Sequence, residues 1–282
     1  GKSYESSKDE YKDYFQLIVD SYVYNDEYEA GMDLKISTDP YESYKIFQKR
    51  VNDEYKSIIE NPAYGCGPNI TKLIGFPRFD SLTNESEKII FILPTWRRSC
   101  LADIKTCELN SDFESSSYFK FYKALTSDQR LISAAKAGGY RLCFYPHHLM
   151  REANDYFENL DEVFIDASKY SYNDVFKKGS ILFTDYSSTK FDFAYLKKPI
   201  VYCQFDREEF FASHTYKEGY YSYEENGFGE VTYNLDDAVN TIIEYIDNGA
   251  QMKDAYKARV DSFFAFNDKN NCKRVVKEIL NL

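Results

Sequence analysis

The sequence predicts an α/β protein built on an open, parallel, Rossmann-like sheet, and three observations lead there. From Lys88 onward, short apolar runs recur at residues 89–94, 141–145, 162–166, 180–185 and 199–204. Continuous runs of this length are what strands covered on both faces look like, whereas a strand with one wet face alternates. Helical stretches separate the runs, at about 117–137, 149–159, 170–177 and 187–196, and three more follow in the last 50 residues. Strands that alternate with helices fold as right-handed βαβ units, which give a parallel sheet with helices on its faces.

The elements before the sheet are less regular. The first third is polar and dotted with Tyr; a helix is expected over 10–20, a short strand over 34–37 and a helix over 40–60. Pro40 falls in the first turn of that last helix, where its missing N–H leaves no helical bond unmade. Residues 61–69 (NPAYGCGPN) hold two Pro and two Gly and interrupt regular structure. A strand over 71–75 then runs into the turn FPRFD. The composition shift at 81–88 (SLTNESEK) marks the boundary between a first unit, residues 1–84, and the sheet domain, residues 85–282.

Composition bounds the function classes. The chain has 282 residues, 43% hydrophobic, enough for one large or two medium domains. Its 46 acidic against 35 basic side chains give a formal charge of −11 with no Lys/Arg-dense block, which argues against general nucleic-acid binding, since that depends on neutralising phosphates, and leaves room for a local basic site. No apolar stretch reaches the roughly 18 residues of a membrane span, and GKSYESSKDE is too polar for a signal peptide. Six Cys form no CxxC pair and read as reduced, mostly buried thiols of a cytoplasmic protein. With three His and no HExxH or Cys/His cluster, no metal site is expected. The 27 Tyr suit wet clefts, because Tyr packs and hydrogen-bonds at once; a general bias toward Tyr, Lys and Asn accounts for them equally well.

Parallel sheets bind ligands beyond the carboxyl ends of their strands, so the residues after each strand carry the functional signal. After the first come Thr95, Trp96, Arg97 and Arg98, in which two adjacent planar guanidinium groups suit phosphate or carboxylate, unless they are a surface pair. After the second come His147 and His148; adjacent on a turn, they point in different directions, so one of them is incidental. After the fourth comes TDYSSTKFDF, in which Asp185 precedes Ser187, Ser188 and Thr189 at a helix start. Free N–H groups and hydroxyls there can hold a diphosphate, although Thr189 and Asp192 are also spaced as an ordinary capping box. After the fifth, Asp206, Glu208 and Glu209 could accept from ribose or glycerol hydroxyls, and a long Tyr- and Gly-rich loop follows His214.

Taken together, IGFPRFD (74–80), ILPTWRRS (92–99), FYPHHLM (144–150), the segment from Ile181 to Asp206 and GYYSYEENGFGEV (219–231) resemble the CDP-glycerol glycerophosphotransferase family of teichoic-acid and capsule polymerases. The resemblance implies a GT-B fold, with residues 85–282 as the Rossmann-like donor-binding domain and residues 1–84 as the C-terminal part of a partial, acceptor-side domain. It implies transfer of glycerol phosphate or ribitol phosphate from a CDP-activated donor to a hydroxyl of a polyol-phosphate or glycan polymer, with release of CMP and no obligatory metal or other cofactor. His147 would be the catalytic residue. Thr95, Arg97, Arg98, His148, Asp185, Ser187, Ser188, Thr189, Asp206 and His214 would serve the donor, with Asp185 fixing the loop. Family members also carry a His-Gly motif whose His is the proposed base, and no His precedes His147 here. The expectation is a piece excised from a longer polymerase, cytoplasmic or peripheral on the cytoplasmic face of a bacterial membrane. A nucleotide-sugar glycosyltransferase and a catalytically silent binding module are the alternatives.

Overall fold

A computed structural model describes residues 74–157, 160–213 and 222–281. The helices expected over 10–20 and 40–60 and the strand over 34–37 lie outside these residues, as does His214. The described residues fall into two compact units, one of residues 82–213 and 227–260 and the other of 74–81, 222–226 and 261–281. The second takes in the C-terminal residues that the sequence reading gave to the sheet domain.

The first unit carries a five-stranded sheet, β1 (Ile89–Leu93), β4 (Arg141–Phe144), β5 (Ile181–Thr184), β6 (Ile200–Cys203) and β7 (Gly229–Thr232), in the order β4-β1-β5-β6-β7. Every pairing in it is parallel. A single parallel bridge, Leu142 to Phe164, continues the sheet beyond β4, so the spatial order reverses on either side of β1 as in dinucleotide-binding folds. A small antiparallel pair, β2 (Leu101–Asp103) with β3 (Glu108–Leu109), lies apart from it.

Both faces of the sheet are covered, which is why its strands are continuously apolar. Ile90, Ile92, Leu142, Phe144, Ile181, Phe183, Val201 and Cys203 join one core with residues of α1 (Ser117–Ser127), α2 (Gln129–Gly138) and α7 (Leu235–Asp247). The opposite face holds Phe91, whose ring meets Tyr170 at 5.5 Å, and receives α4 (Lys190–Tyr195) against β5 and β6. Here α3 (Tyr172–Lys178) starts at a capping box in which Ser171 and Asp174 exchange bonds. The remaining helices are α5 (Arg207–Ser213), α6 (Tyr223–Asn226), α8 (Asp254–Phe263) and α9 (Asn271–Leu280). In the second unit, the Asp80 carboxylate accepts the N–H groups of Asn271 and Cys272 at the start of α9, at 3.0 and 2.8 Å.

Several elements differ from expectation. The helix expected over 117–137 is two helices, because extended Asp128 (ψ 114°) breaks the first and caps the second by accepting from Arg130 and Leu131. The stretch expected as a helix over 149–159 is a run of 3₁₀ turns, His148–Phe157, interrupted at Met150. Residues 162–166 supply only the Phe164 bridge, Ile74 and Gly75 are not in a strand, and FPRFD forms a 3₁₀ turn, Pro77–Ser81.

Candidate functional site

The strand order reverses between β1 and β5, and the loops that leave these two strands meet at that point. Thr184 Oγ1 donates to Leu93 O at 2.6 Å, joining the strand ends. The next residue, Asp185, is fully buried; its Oδ1 accepts from the backbone N–H of Thr95 at 2.9 Å and from that of Tyr186 at 2.6 Å. Its Oδ2 accepts from Arg97 Nη2 at 2.8 Å and from Tyr122 OH at 3.1 Å. The loop after β6 enters the same cluster through Asp206, which receives Arg97 Nε at 2.6 Å and Nη2 at 3.1 Å.

Arg97 is only 2% exposed. Besides the two carboxylates it donates through Nη1 to the carbonyls of Thr95 at 2.7 Å and Trp96 at 3.5 Å. Aromatic rings surround it, with Phe210 at 4.9 Å and Tyr186 at 5.2 Å from the guanidinium carbon. Burial alone would lower the Arg97 pKa, but the attraction of Asp185 and Asp206 raises it well above its ordinary value, so it stays cationic. Burial likewise raises the Asp206 carboxyl, against the pull of the facing guanidinium.

These contacts change the expected roles of two residues. One of Arg97 and Arg98 is expected to meet a diphosphate, and the five N–H groups of Arg97 are engaged inside the protein. Asp206 was expected to accept from ligand hydroxyls and is instead the partner of Arg97. The neighbouring Arg98 is half-buried and donates through Nη1 to Leu101 O at 2.7 Å. It follows β1 directly behind Arg97 and has guanidinium donors beyond that one bond.

His147 is half-buried, with its ring 6.5 Å from that of Trp96 and 4.1 Å from that of His148, which is exposed. His147 Nδ1 accepts from the backbone N–H of Leu149 at 3.2 Å, which places the proton of the neutral ring on Nε2. In the turn after Tyr186, Ser187 Oγ and Thr189 Oγ1 share a hydrogen bond at 2.8 Å, and Ser188 is exposed. Thr189 makes no side-chain cap bond, so the alternative capping box with Asp192 does not form. Tyr122, Tyr186 and Phe210 belong to the cluster but were not singled out from sequence; an excess of Tyr says that some will hydrogen-bond, not which. Among the described residues no group of three His, Cys, Asp or Glu gathers as a metal site.

Rossmann-like strand order, with loaded loops at its reversal and a half-buried imidazole beside them, defines an α/β domain of the open parallel-sheet class. The family model for CDP-Glycerol:Poly(glycerophosphate) glycerophosphotransferase matches residues 32–281, and the chain belongs to that family. It is 38% identical over 243 residues to the minor teichoic acid biosynthesis protein GgaB of Bacillus subtilis (strain 168), covering 84% of this chain and 26% of that protein. The chain thus spans about a quarter of this relative's length. Among solved structures it is similar to the wall teichoic acid polymerase TagF, with a TM-score of 0.52 at 19% identity, over 90% of this chain and 65% of that one. A second TagF structure, of H444N with CDPG, gives a TM-score of 0.51 at 20% identity over 90% and 64% of the two chains. The chain has the GT-B-type α/β fold that the sequence predicts, with the parallel sheet as its Rossmann-like part.

Proposed function

We propose that this chain is the donor-binding part of an enzyme that transfers a polyol phosphate, glycerol phosphate or ribitol phosphate, from its CDP-activated form to a hydroxyl of a teichoic-acid-like or capsular polymer. The observation that carries this reading is membership of the glycerophosphotransferase family over residues 32–281. The conjunction of the Thr95, His147 and Ser187 segments at the carboxyl edge of one parallel sheet supports it. In this reading the acceptor hydroxyl oxygen attacks the β-phosphorus in line as its proton passes to a general base supplied by the further domains of the longer polymerase. The P–O–P bond breaks, and CMP leaves with the electron pair.

Charge that develops on the transferred and leaving phosphates calls for preorganised donors. Arg98 supplies a guanidinium, His147 donates from Nε2 to the leaving CMP oxygen, and Ser187 and Ser188 offer hydroxyls and backbone N–H groups. Metal independence is part of the proposal, as is action at the cytoplasmic face of a membrane with contributions from further domains of a longer polymerase. No helix among the described residues is long and apolar enough to cross a membrane.

Titration of the chain with CMP, CDP-glycerol, CDP-ribitol and a panel of UDP- and GDP-sugars tests the reading. CDP-alcohols are expected to bind at about micromolar strength in the presence of EDTA. His147→Ala and a Ser187→Ala/Ser188→Ala double change should each weaken them about tenfold, a loss of about 1.4 kcal/mol. Binding of a UDP- or GDP-sugar with no response to any CDP-alcohol would make the chain a glycosyltransferase instead.

A further inference from the structure

The contacts around Thr95 are unusually one-sided. Its N–H donates to Asp185 Oδ1 at 2.9 Å, and its carbonyl accepts from Arg97 Nη1 at 2.7 Å. Those two groups are themselves an ion pair, Arg97 Nη2 to Asp185 Oδ2 at 2.8 Å. One buried pair therefore grips the backbone of Thr95 from both directions. The Thr95 hydroxyl, on a residue only 6% exposed, has no protein partner. Leaving a buried hydroxyl unpaired is unfavourable. The two backbone bonds fix the direction of the Thr95 Cα–Cβ bond, so only rotation about χ1 is left to the hydroxyl. It lies directly after β1, where the strand order reverses and a ligand would sit.

We propose that Arg97 is a positioning residue which, with Asp185, clamps Thr95 so that the Thr95 hydroxyl donates a hydrogen bond to a phosphate oxygen of the bound donor. This rests on the donor-binding reading above and deepens it. Arg97 touches no substrate; it acts through Thr95. A neutral hydroxyl suits the position, because Asp185 and Asp206 already outnumber Arg97 behind it, and a donor that carries no charge of its own leaves the ion pair undisturbed. The bond to phosphate satisfies a group that the fold otherwise leaves without a protein partner.

The test measures affinity for CMP and CDP-glycerol by calorimetry, together with the melting temperature, in a set of variants. Thr95→Val, close in shape and lacking only the hydroxyl, should bind about tenfold more weakly and melt no lower than wild type. Thr95→Ser should restore binding. Arg97→Lys keeps the charge but not the fork, and should also weaken binding about tenfold. The Thr95→Val/Arg97→Lys double variant should bind no more weakly than the weaker single one, since the two residues act on one bond. If Arg97→Lys does not fold, Asp206→Asn takes its place and should lower binding in the wild-type background but not beside Thr95→Val. Wild-type affinity in Thr95→Val overturns the proposal. So do losses that multiply to about a hundredfold in the double variant, because Arg97 would then reach the ligand independently. A wild-type chain that binds neither CMP nor CDP-glycerol removes the donor-binding reading and this inference with it; binding by wild type and Thr95→Val alike removes the inference alone.

Discussion

Two carboxylates share one guanidinium in the cluster of Arg97, Asp185 and Asp206, and Asp185 is fully buried. The arrangement holds because the carboxylates have further donors: Asp185 also takes two backbone N–H groups and the Tyr122 hydroxyl. Arg97→Met removes the only cation of the group and leaves two like charges out of water, an uncompensated burial that costs about 3–5 kcal/mol. Urea unfolding at pH 7 should register that loss. In the variant, burial and the facing Asp185 carboxylate hold the Asp206 carboxyl above its unfolded pKa with no guanidinium to oppose them, so the native state binds the extra proton through the carboxylate range. Its stability should therefore recover as the pH falls from 7 toward 5 and be lost again as the pH rises. A urea midpoint that does not respond to pH in Arg97→Met would show that the two carboxylates do not depend on Arg97 in this way.

At the scale of elements, β7 is set by its glycine. A Cβ on Gly229 would lie 1.8 Å from the carbonyl oxygen of Ile200 on β6, so any side chain pushes the edge strand off its neighbour. Gly229→Ala should cost about 2–3 kcal/mol and lower protection of the β6–β7 amides in hydrogen exchange. The α2 cap gives a milder case: Asp128→Ala removes the acceptor for Arg130 and Leu131 and should cost about 1 kcal/mol in urea melts. These elements also show what a sequence can convey. β1, β4, β5 and β6 are legible because sheet interiors demand continuous apolar runs, whereas GFGEV reads as a loop, since the close approach that requires Gly229 comes from a strand some thirty residues earlier. Asp128 sits mid-run in a helical pattern, and only its extended backbone separates α1 from α2. For the site, strand ends reveal the residue types. Which of Arg97 and Arg98 turns inward is decided by Asp185 and Asp206, 88 and 109 positions away from Arg97, and no local pattern carries that.

For the molecule as a whole, the buried titratable groups oppose each other along the pH axis. Lys198, 3% exposed, donates to the carbonyls of Phe176, Lys177 and Gly179 at the end of α3, and burial draws its pKa down to about 7. An unfolded lysine keeps its proton to about pH 10.4, so between these values the unfolded chain binds the extra proton and native stability rises with pH. The thiols act in the opposite sense. Burial pushes Cys100 up to about 11 and Cys143 and Cys203 up to about 12, while an unfolded thiol ionises near 8.5. Above about pH 8.5 the native state holds protons that the unfolded state has released, and stability falls until the folded thiols titrate in turn. Burial raises Tyr118 and Tyr122 as well, which steepens the fall. One lysine on the rising limb against three thiols on the falling limb, each worth about 1.4 kcal/mol per pH unit where only one state is protonated, places the stability maximum near pH 8–9. Urea midpoints measured from pH 6 to 11 should trace this dome. Lys198→Met should abolish the rise above pH 7, and Cys143→Ala/Cys203→Ala should flatten the descent above pH 9 while lowering stability at every pH through the small cavities it leaves. A wild-type curve that falls monotonically from pH 7 would mean that the three carbonyls hold the Lys198 ammonium charged well above neutrality and outweigh the cost of its burial.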